Sequence, residues 1–356
     1  MTRSSTPFLP EGIIFDILVF LPAEILHNVM RCVCRGWYNV INSPEFISAH
    51  LQKSTNGFLI QSWNRPNVID FVEIINVSGV RIRELRYEFR HPICASCDGL
   101  VLFKHDSNDL IFCVANLITN QILTLPPLSE PIRNDLCTLV YGHSIKRYKV
   151  VFLDYTNVDL MCANFTVGTD TEWRPIDTKH IPNTNWNYSF SAFSAPLSAG
   201  GYLYWTPRFR ETFLLVLDVE AEILHRLPFP KVLNKKKSYF MVRESFLVLM
   251  VRIEKFLWEV LVLTELNKGE WTRLYNIDLT GQSGMLSQHQ NWSLECYLFP
   301  LAWLKNGELV IFRISDTPRI YVLYNIKTKE VSSFSINKNF RSYHAHANSL
   351  VSLKVC

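Results

Sequence analysis

The stretch that decides the fold is LIFCVAN at residues 110–116, which is followed nine residues later by Leu125-Pro126. An apolar strand, an Asn or Asp, a turn and a second strand ending in Leu-Pro form one unit. The unit returns as FLLVLD at 213–218, which leads to Leu227-Pro228, and as YVLYN at 321–325, which leads to Phe334. Self-similarity at this distance indicates a repeat architecture.

The repeat has a period near fifty residues. Aligned on the apolar residue that closes each unit, the series is Leu85, Leu125, Ile176, Leu227, Leu274 and Phe334. A turn residue precedes four of these anchors by 26 to 29 residues, at Gly99, Gly201, Ser245 and Gly307. Six evenly spaced units of several strands predict an all-β domain that forms a six-bladed, kelch-like β-propeller. A pair of β-sandwich domains is the alternative, but it would not require even spacing.

The closing strand of such a ring is expected near the end of the chain. Residues 349–355 alternate apolar and polar side chains, as an edge or closing strand does. We expect this stretch to pair with residues 58–63 in the first unit, because closure of the ring removes exposed strand edges.

The chain before residue 53 reads instead as three short helices. Leu9-Pro10-Glu11 opens the first, because proline is tolerated at the start of a helix and an acid favours that end. Apolar residues recur at helical spacing as Ile14, Ile17, Leu18 and Leu21, then Ile25, Leu26, Val29 and Met30, then Val33, Trp37, Val40 and Ile41. Ile13 and Phe20 lie off the main stripe and predict a second apolar face. So small a module usually needs a partner, either another protein or the rest of this chain.

These helices resemble the F-box. The matching residues are Leu9-Pro10, Ile17-Leu18, Leu21-Pro22, Arg31-Cys32-Val33-Cys34, Arg35, Trp37, Ser43-Pro44-Glu45-Phe46 and His50-Leu51. The resemblance implies that the helices bind a Skp-type adaptor, and through it a cullin scaffold. The contact residues that it implies are Leu9, Pro10, Ile13, Ile14, Ile17, Leu18, Leu21, Pro22, Leu26, Val33, Cys34 and Trp37. The sequence departs from the family pattern in a loose second helix, at residues 23–28, and at Gly36, where the family has Ser.

The β region resembles the F-box-associated domain of plant proteins. The residues that carry this likeness are Ser96-Cys97-Asp98-Gly99-Leu100, Asn116, Leu125-Pro126-Pro127, Tyr148-Lys149-Val150-Val151, Glu172-Trp173-Arg174, Tyr204-Trp205, Asp218, Leu227-Pro228, Glu270-Trp271-Thr272 and Pro300-Leu301-Ala302-Trp303. The two resemblances imply an F-box at residues 1–52 and a substrate-interaction domain at 53–356. Together they imply a substrate receptor of a Skp–cullin–F-box ubiquitin ligase. Adaptor binding without ligase activity remains open.

Composition limits the classes of protein to which the chain can belong. Hydrophobic residues make up 48% of the chain and the net charge is +4, which is ordinary for a globular protein and too weak to imply nucleic-acid binding. No apolar run reaches the ~20 residues of a membrane span. Nine cysteines without regular spacing fit free thiols in a reducing compartment. We therefore expect a cytoplasmic or nuclear protein.

Motifs for chemistry are few, and neither catalysis nor a cofactor is expected. Cys32 and Cys34 are expected to be buried structural cysteines. Cys94 and Cys97 lack a second pair at zinc spacing, and His344 and His346, without a third ligand, are expected at a surface or an edge. An enzyme or a carbohydrate-binding propeller with a helical head is the alternative function, and a converging His, acid and metal cluster would favour it.

Most tryptophans fall at repeat positions, such as Trp173, Trp205 and Trp271, and are expected between the blades. Four aromatic residues lie outside the repeat in loop-like stretches. Exposed aromatic residues often anchor protein partners. The candidate substrate-binding residues are therefore Trp63, Trp186, Tyr188 and Trp292.

Overall fold

A computed structural model describes most of the chain. The described residues are 9–54, 56–62, 67–76, 79–86, 91–105, 111–128, 136–155, 160–181, 194–206, 213–230, 237–282, 298–304, 307–314, 319–336 and 340–353.

Four α-helices come first, and we call residues 9–53 the helical module. They are α1 (Glu11–Leu18), α2 (Ala23–Asn28), α3 (Arg35–Ile41) and α4 (Pro44–Lys53), with a 3-10 turn at Met30–Cys32 before α3. Pro10 and Pro22 precede the first two helices as N-cap residues. The Phe46 N–H donates to Ser43 Oγ at 3.2 Å and so caps α4.

The third predicted helix starts later than expected. Val33 lies outside α3, and Cys34 is its N-cap, because the Trp37 N–H donates to Cys34 Sγ at 3.5 Å. Cys32 and Cys34 are both exposed free thiols. The expectation that this pair is buried is therefore wrong. The capping role of Cys34 turns its side chain toward the end of the helix and away from the core.

The described part of the chain then forms twenty-four strands. They are β1 (Asn56–Ser62), β2 (Val68–Asn76), β3 (Gly79–Arg86), β4 (Ile93–Cys97), β5 (Leu100–Lys104), β6 (Phe112–Asn116), β7 (Gln121–Thr124), β8 (Cys137–Gly142), β9 (Arg147–Tyr155), β10 (Leu160–Thr166), β11 (Arg174–Ile176), β12 (Leu197–Ala199), β13 (Tyr202–Trp205), β14 (Phe213–Asp218), β15 (Ile223–Pro228), β16 (Ser238–Arg243), β17 (Phe246–Glu254), β18 (Leu257–Glu265), β19 (Glu270–Asp278), β20 (Leu298–Leu304), β21 (Leu309–Ile314), β22 (Arg319–Asn325), β23 (Val331–Ile336) and β24 (Phe340–Ala347).

The strands form six antiparallel sheets of four strands each, which are the blades of a propeller. Blade 1 has the order β24-β1-β2-β3, and blades 2 to 6 take β4–β7, β8–β11, β12–β15, β16–β19 and β20–β23 in turn. Six apolar clusters fill the spaces between successive blades, including the one between blade 6 and blade 1. The ring is therefore closed, which confirms the propeller and excludes the pair of sandwiches.

The sequence markers map onto equivalent places in the blades. Each closing anchor lies on or directly after the outermost strand of its blade, and each turn marker lies between the first two strands. Asp98 and Gly99 both adopt positive φ, at 50° and 82°, as a tight hairpin turn requires. Trp205 is fully buried between blades 3 and 4, and Trp173 and Trp271 are partly buried between blades, as expected.

The closing strand is not the predicted one. β24, at Phe340–Ala347, pairs antiparallel with β1, and Phe58 stands opposite Ala345. The predicted segment 349–355 contributes no strand in its described part, through Leu353. The prediction that the last strand of the chain closes blade 1 is confirmed. The strand itself lies about nine residues earlier than predicted, since β24 begins at 340 and the predicted strand at 349.

Residues 348–353, which we call the C-terminal segment, instead cross blade 2 and reach the helical module. The fully buried Asn116 donates through Nδ2 to the carbonyl oxygens of Ser349 and Val351, at 3.1 and 2.8 Å. Ser349 Oγ donates to the Asp98 carbonyl oxygen at 2.6 Å. A Cβ atom on Gly99 would collide with Ser349, so only glycine allows this close approach.

The C-terminal segment joins the helices to the propeller. Leu350 packs in one apolar cluster with the helical core and with Ile118 of blade 2. Beside it, Glu24 of α2 accepts from Arg83 of β3 at 3.1 Å and from Asn348 Nδ2 at 2.7 Å. The helical module is therefore docked on blades 1 and 2 by both apolar and charged contacts.

Gly36 offers a test of helix propensity in α3. A Cβ atom there would meet only Cys34 Sγ, at an ordinary contact distance of 3.8 Å. Gly36→Ala is therefore expected to raise the free energy of unfolding by about 0.5–1 kcal/mol, because alanine loses less conformational entropy on folding. Chemical denaturation measures the change. Gly99→Ala is the control and should destabilise the protein; a Gly36→Ala protein that is no more stable than wild type would contradict the expectation.

Candidate functional site

The helical module has two apolar faces, of which one is buried and the other is exposed to solvent. Ile14 and Leu18 of α1 are buried, at 8% and 1% exposure, whereas Ile13 and Ile17 are 47% and 53% exposed. Each pair repeats at one helical turn, so each forms its own stripe along the helix. The buried stripe fills the module's core, and the other stripe faces solvent.

A second exposed row continues after α1. Ile25, Val29 and Val33 follow one another at intervals of four residues and are 40–57% exposed, while Leu26 between them is fully buried. The exposed large apolar side chains of this module, which we call the apolar docking surface, are Leu9, Ile13, Ile17, Phe20, Ile25, Val29, Val33 and Tyr38. These eight are half of the sixteen such side chains in the described part of the chain. Exposed apolar patches of this kind mark interaction sites.

Two contacts fix the shape of this surface. The Lys53 ammonium lies 4.0 Å from the centre of the Phe20 ring, an arrangement in which the cation is attracted to the ring face. The buried His50 of α4 donates from Nε2 to the Leu21 carbonyl oxygen at 2.9 Å. Burial lowers the pKa of His50, so the imidazole is neutral and holds the corner between α1 and α2 without charge.

The predicted adaptor contacts divide into three groups. Leu9, Pro10, Ile13, Ile17, Pro22, Val33 and Cys34 are exposed, and Leu21 and Trp37 are half-buried. Ile14, Leu18 and Leu26 are buried in the helical core. The structure therefore gives these three residues a packing role instead of the predicted direct contact with the adaptor. Phe20, Ile25, Val29 and Tyr38 are exposed as well but are not among the predicted adaptor contacts, although the sequence assigns Phe20 to a second apolar face. The interval of four between Ile25, Val29 and Val33 is the signal that could have found Ile25 and Val29.

The propeller has a central channel, which is lined by the innermost strands β4, β8, β12, β16, β20 and β24. The cavity has a volume of about 1250 Å³. His344 and His346 lie on β24, the inner edge strand of blade 1, and line this channel. The expected edge position is confirmed, but the edge faces the channel and not the outer surface. Burial lowers the pKa of His344 to about 4 and of His346 to about 3, so both imidazoles are neutral near pH 7.

The channel also holds Cys94 and Cys97 of β4, both free thiols. Within the described residues, no three His, Cys, Asp or Glu side chains come together as metal ligands would. The same residues include no helix with the length and hydropathy needed to cross a membrane.

The four candidate substrate-binding aromatics, Trp63, Trp186, Tyr188 and Trp292, lie outside the described residues. Their role stays a prediction.

Comparison with protein families matches both parts of the chain. Residues 8–48 match the F-box domain, and residues 57–353 match the F-box associated beta propeller domain. The second match covers well over half of the chain and coincides with the blades.

Relatives come from Arabidopsis thaliana. F-box protein At3g10430 is 28% identical over 62% of this chain and 61% of its own length, and F-box only protein 15 is 26% identical over 60% and 57%. F-box protein CPR1 is 23% identical over 95% of this chain and 86% of its own. The chain thus spans about three fifths of the first two relatives. Two solved structures are only distantly similar. A prolyl endopeptidase has a TM-score of 0.40 over 92% of this chain and 55% of its own, and the dehydrogenase NirN has a TM-score of 0.39 over 82% and 68%.

The exposed apolar face of the helices, the closed six-bladed ring and the two family matches agree with one another. The chain therefore belongs to the plant F-box proteins in which the F-box is followed by an F-box-associated β-propeller domain.

Proposed function

We propose that this protein is the substrate-recognition subunit of a Skp–cullin–F-box ubiquitin ligase. The observation that carries the proposal is the apolar docking surface of the F-box helices. Its side chains are 40–71% exposed, although the same helices bury another set of apolar side chains in a core that they share with Ile118 and Leu350. Burial of a large apolar side chain contributes about 1.5–3 kcal/mol, so a few such residues suffice for micromolar binding. A Skp-type adaptor is the partner that an F-box implies.

The rest of the proposed complex follows from the way the two domains are joined. Leu350 and the contacts of Glu24 hold the F-box against blades 1 and 2, so a protein bound to the propeller keeps a set position relative to the adaptor. A ligase of this kind accelerates transfer by raising the effective concentration of target and ubiquitin-charged enzyme. The chain itself then needs no catalytic residues. We place this activity in the cytoplasm or nucleus.

The proposal is tested with full-length tagged chains, expressed in plant cells while the proteasome is blocked. The wild-type chain should recover an adaptor, a cullin and ubiquitinated proteins. Ile17→Asp, which changes a half-exposed residue of the docking surface, should lose the adaptor and cullin but keep the proteins that bind the propeller. Quantitative mass spectrometry of the recovered proteins measures both effects. Without the inhibitor, the half-lives of those bound proteins should lengthen when the variant is present.

Ile223→Asp is the matched control, since Ile223 lies on β15 of the propeller and is 56% exposed, against 53% for Ile17. It should recover the adaptor as the wild type does. The proposal is wrong if Ile17→Asp still recovers a cullin, or if its bound proteins are degraded as fast as with wild type.

A further inference from the structure

The charge of the channel differs from that of the whole chain. The protein has 36 Lys and Arg against 32 Asp and Glu. Of the described residues that line the cavity, none is Lys or Arg, and the two carboxylates are Asp98 and Glu244. The imidazoles of His344 and His346 add no charge near pH 7, because burial lowers the pKa of both. The described lining of the channel is therefore acidic, although the protein as a whole is basic.

Asp98 stands at the end of the channel, on the turn between β4 and β5. Its carboxylate accepts a hydrogen bond from Tyr148 Oη at 3.2 Å and another from the Cys97 thiol. Among the described residues, no Lys or Arg forms an ion pair with it. Glu244 lies on the corresponding turn of blade 5, across the ring, but has Arg243 at 3.9 Å. Asp98 is thus the channel acid that has no Lys or Arg partner among the described residues, and its neighbour His143 acts on it electrostatically.

Aromatic rings stand beside this carboxylate. The Tyr141 ring lies 4.9 Å from the Tyr148 ring and 5.2 Å from the His143 ring, centre to centre. Tyr141 is half-buried, His143 is exposed, and both line the channel with Asp98. A carboxylate next to aromatic rings is the combination that binds ammonium and guanidinium groups, through charge and through the negative ring face.

We propose that Asp98, Tyr141 and His143 form a binding site for one organic cation at the end of the propeller channel. The ligand is an ammonium or guanidinium group, supplied either by a Lys or Arg side chain of a protein segment or by a free amine. The carboxylate of Asp98 binds the charge, and the adjoining rings of Tyr141 and His143 shield it from water. This site is independent of the docking surface on the F-box.

Binding should depend on pH through Asp98. The titratable groups that face it are Cys97 of β4, Tyr141 and His143 of blade 3, and Tyr148 of β9; the C-terminal segment contributes only Ser349 and backbone. Burial raises the pKa of Asp98, and the pKa values of Cys97 and Tyr148 are raised as well, so both neighbours keep their protons. Affinity for the cation should therefore fall as the pH is lowered through the raised pKa of Asp98.

The test uses full-length protein and Nα-acetyl-argininamide, with its neutral isostere Nα-acetyl-citrullinamide for comparison. Ligand-detected NMR or calorimetry should show binding of the arginine compound and at least about tenfold weaker binding of the citrulline compound. Asp98→Asn should reduce the affinity for the arginine compound by about tenfold, since it removes the charge and keeps an oxygen for Tyr148. Glu172→Gln, at an exposed carboxylate outside the channel, should leave it within about twofold.

A pentapeptide with one Arg between glycines separates the two sources. Tighter binding of the peptide identifies a protein segment, and equal binding identifies a free amine; either supports the site. Equal affinity for arginine and citrulline compounds, or unchanged affinity in Asp98→Asn, overturns it. The isostere comparison needs only the wild-type chain, so it decides the question even if thermal melting shows that the variant is unfolded.

Discussion

A chain that ends at Ala347 is expected to lose at least about 4 kcal/mol of stability and the fixed attachment of its F-box. The truncation removes Leu350 and Val351, which are 7% and 8% exposed and contribute roughly 1.5–3 kcal/mol each. It also leaves the Asn116 amide buried without the Ser349 and Val351 carbonyl oxygens, which costs about 1–3 kcal/mol more. Such a sum is a large part of the 5–15 kcal/mol that stabilises a typical domain.

Two measurements check this expectation. Chemical denaturation should show the loss of stability, and limited proteolysis should cut the truncated chain near residue 55, between the F-box and the propeller. The β24–β1 pairing is still present, so the ring itself should stay closed and its strand content should persist at low temperature.

Point variants separate the contribution of one side chain from the truncation. Leu350→Ala should cost about 2–5 kcal/mol, whereas Ile122→Ala on β7 of blade 2, at 51% exposure, should cost under about 0.5 kcal/mol. An unchanged melting curve for the truncated chain would show that the C-terminal segment does not hold the domains together.

Ile17→Asp is expected to weaken binding to a purified Skp-type adaptor by at least about a hundredfold. Ile17 is 53% exposed, so the free protein tolerates a charge there, but a buried carboxylate in an apolar interface has no partner and costs several kcal/mol. Calorimetry with the purified adaptor measures the change. Ile223→Asp should bind like wild type, and equal affinities of the two variants would remove the docking surface from adaptor binding.

The propeller was predictable because its signals are local. Blades 2, 4, 5 and 6 have a turn marker between their first two strands, and every blade has a closing apolar residue on or directly after its outermost strand. Both signals recur in the sequence. The exception is β24, whose sequence FRSYHAHA has little apolar alternation, so the more apolar stretch after it was preferred. Its position depends on pairing with β1 at the far end of the chain, which no local pattern records.

The F-box surface was predictable only in outline. Helical spacing separated Ile13 from Ile14 correctly, but it placed Ile17 on the same stripe as Ile14 and Leu18, whereas Ile17 is 53% exposed. Spacing alone does not determine which residues of a wide apolar stripe face the core. Tertiary packing decides that question, through Phe46 of α4 and Leu350 of the C-terminal segment. The acidic channel could not be predicted from the sequence, because Asp98 and Glu244 belong to different blades and line the same cavity only in the closed ring.

The position of β24 makes the order of synthesis important. β1 emerges from the ribosome directly after the F-box helices, but its partner β24 is made after every other strand. At about 5–20 residues per second, the edge of β1 stays open for roughly 15 to 60 s of translation. Leu350, which completes the packing under the F-box, arrives later still. A nascent chain therefore carries a loosely seated F-box until the ring has closed, and the fold couples firm seating of that module to a finished propeller.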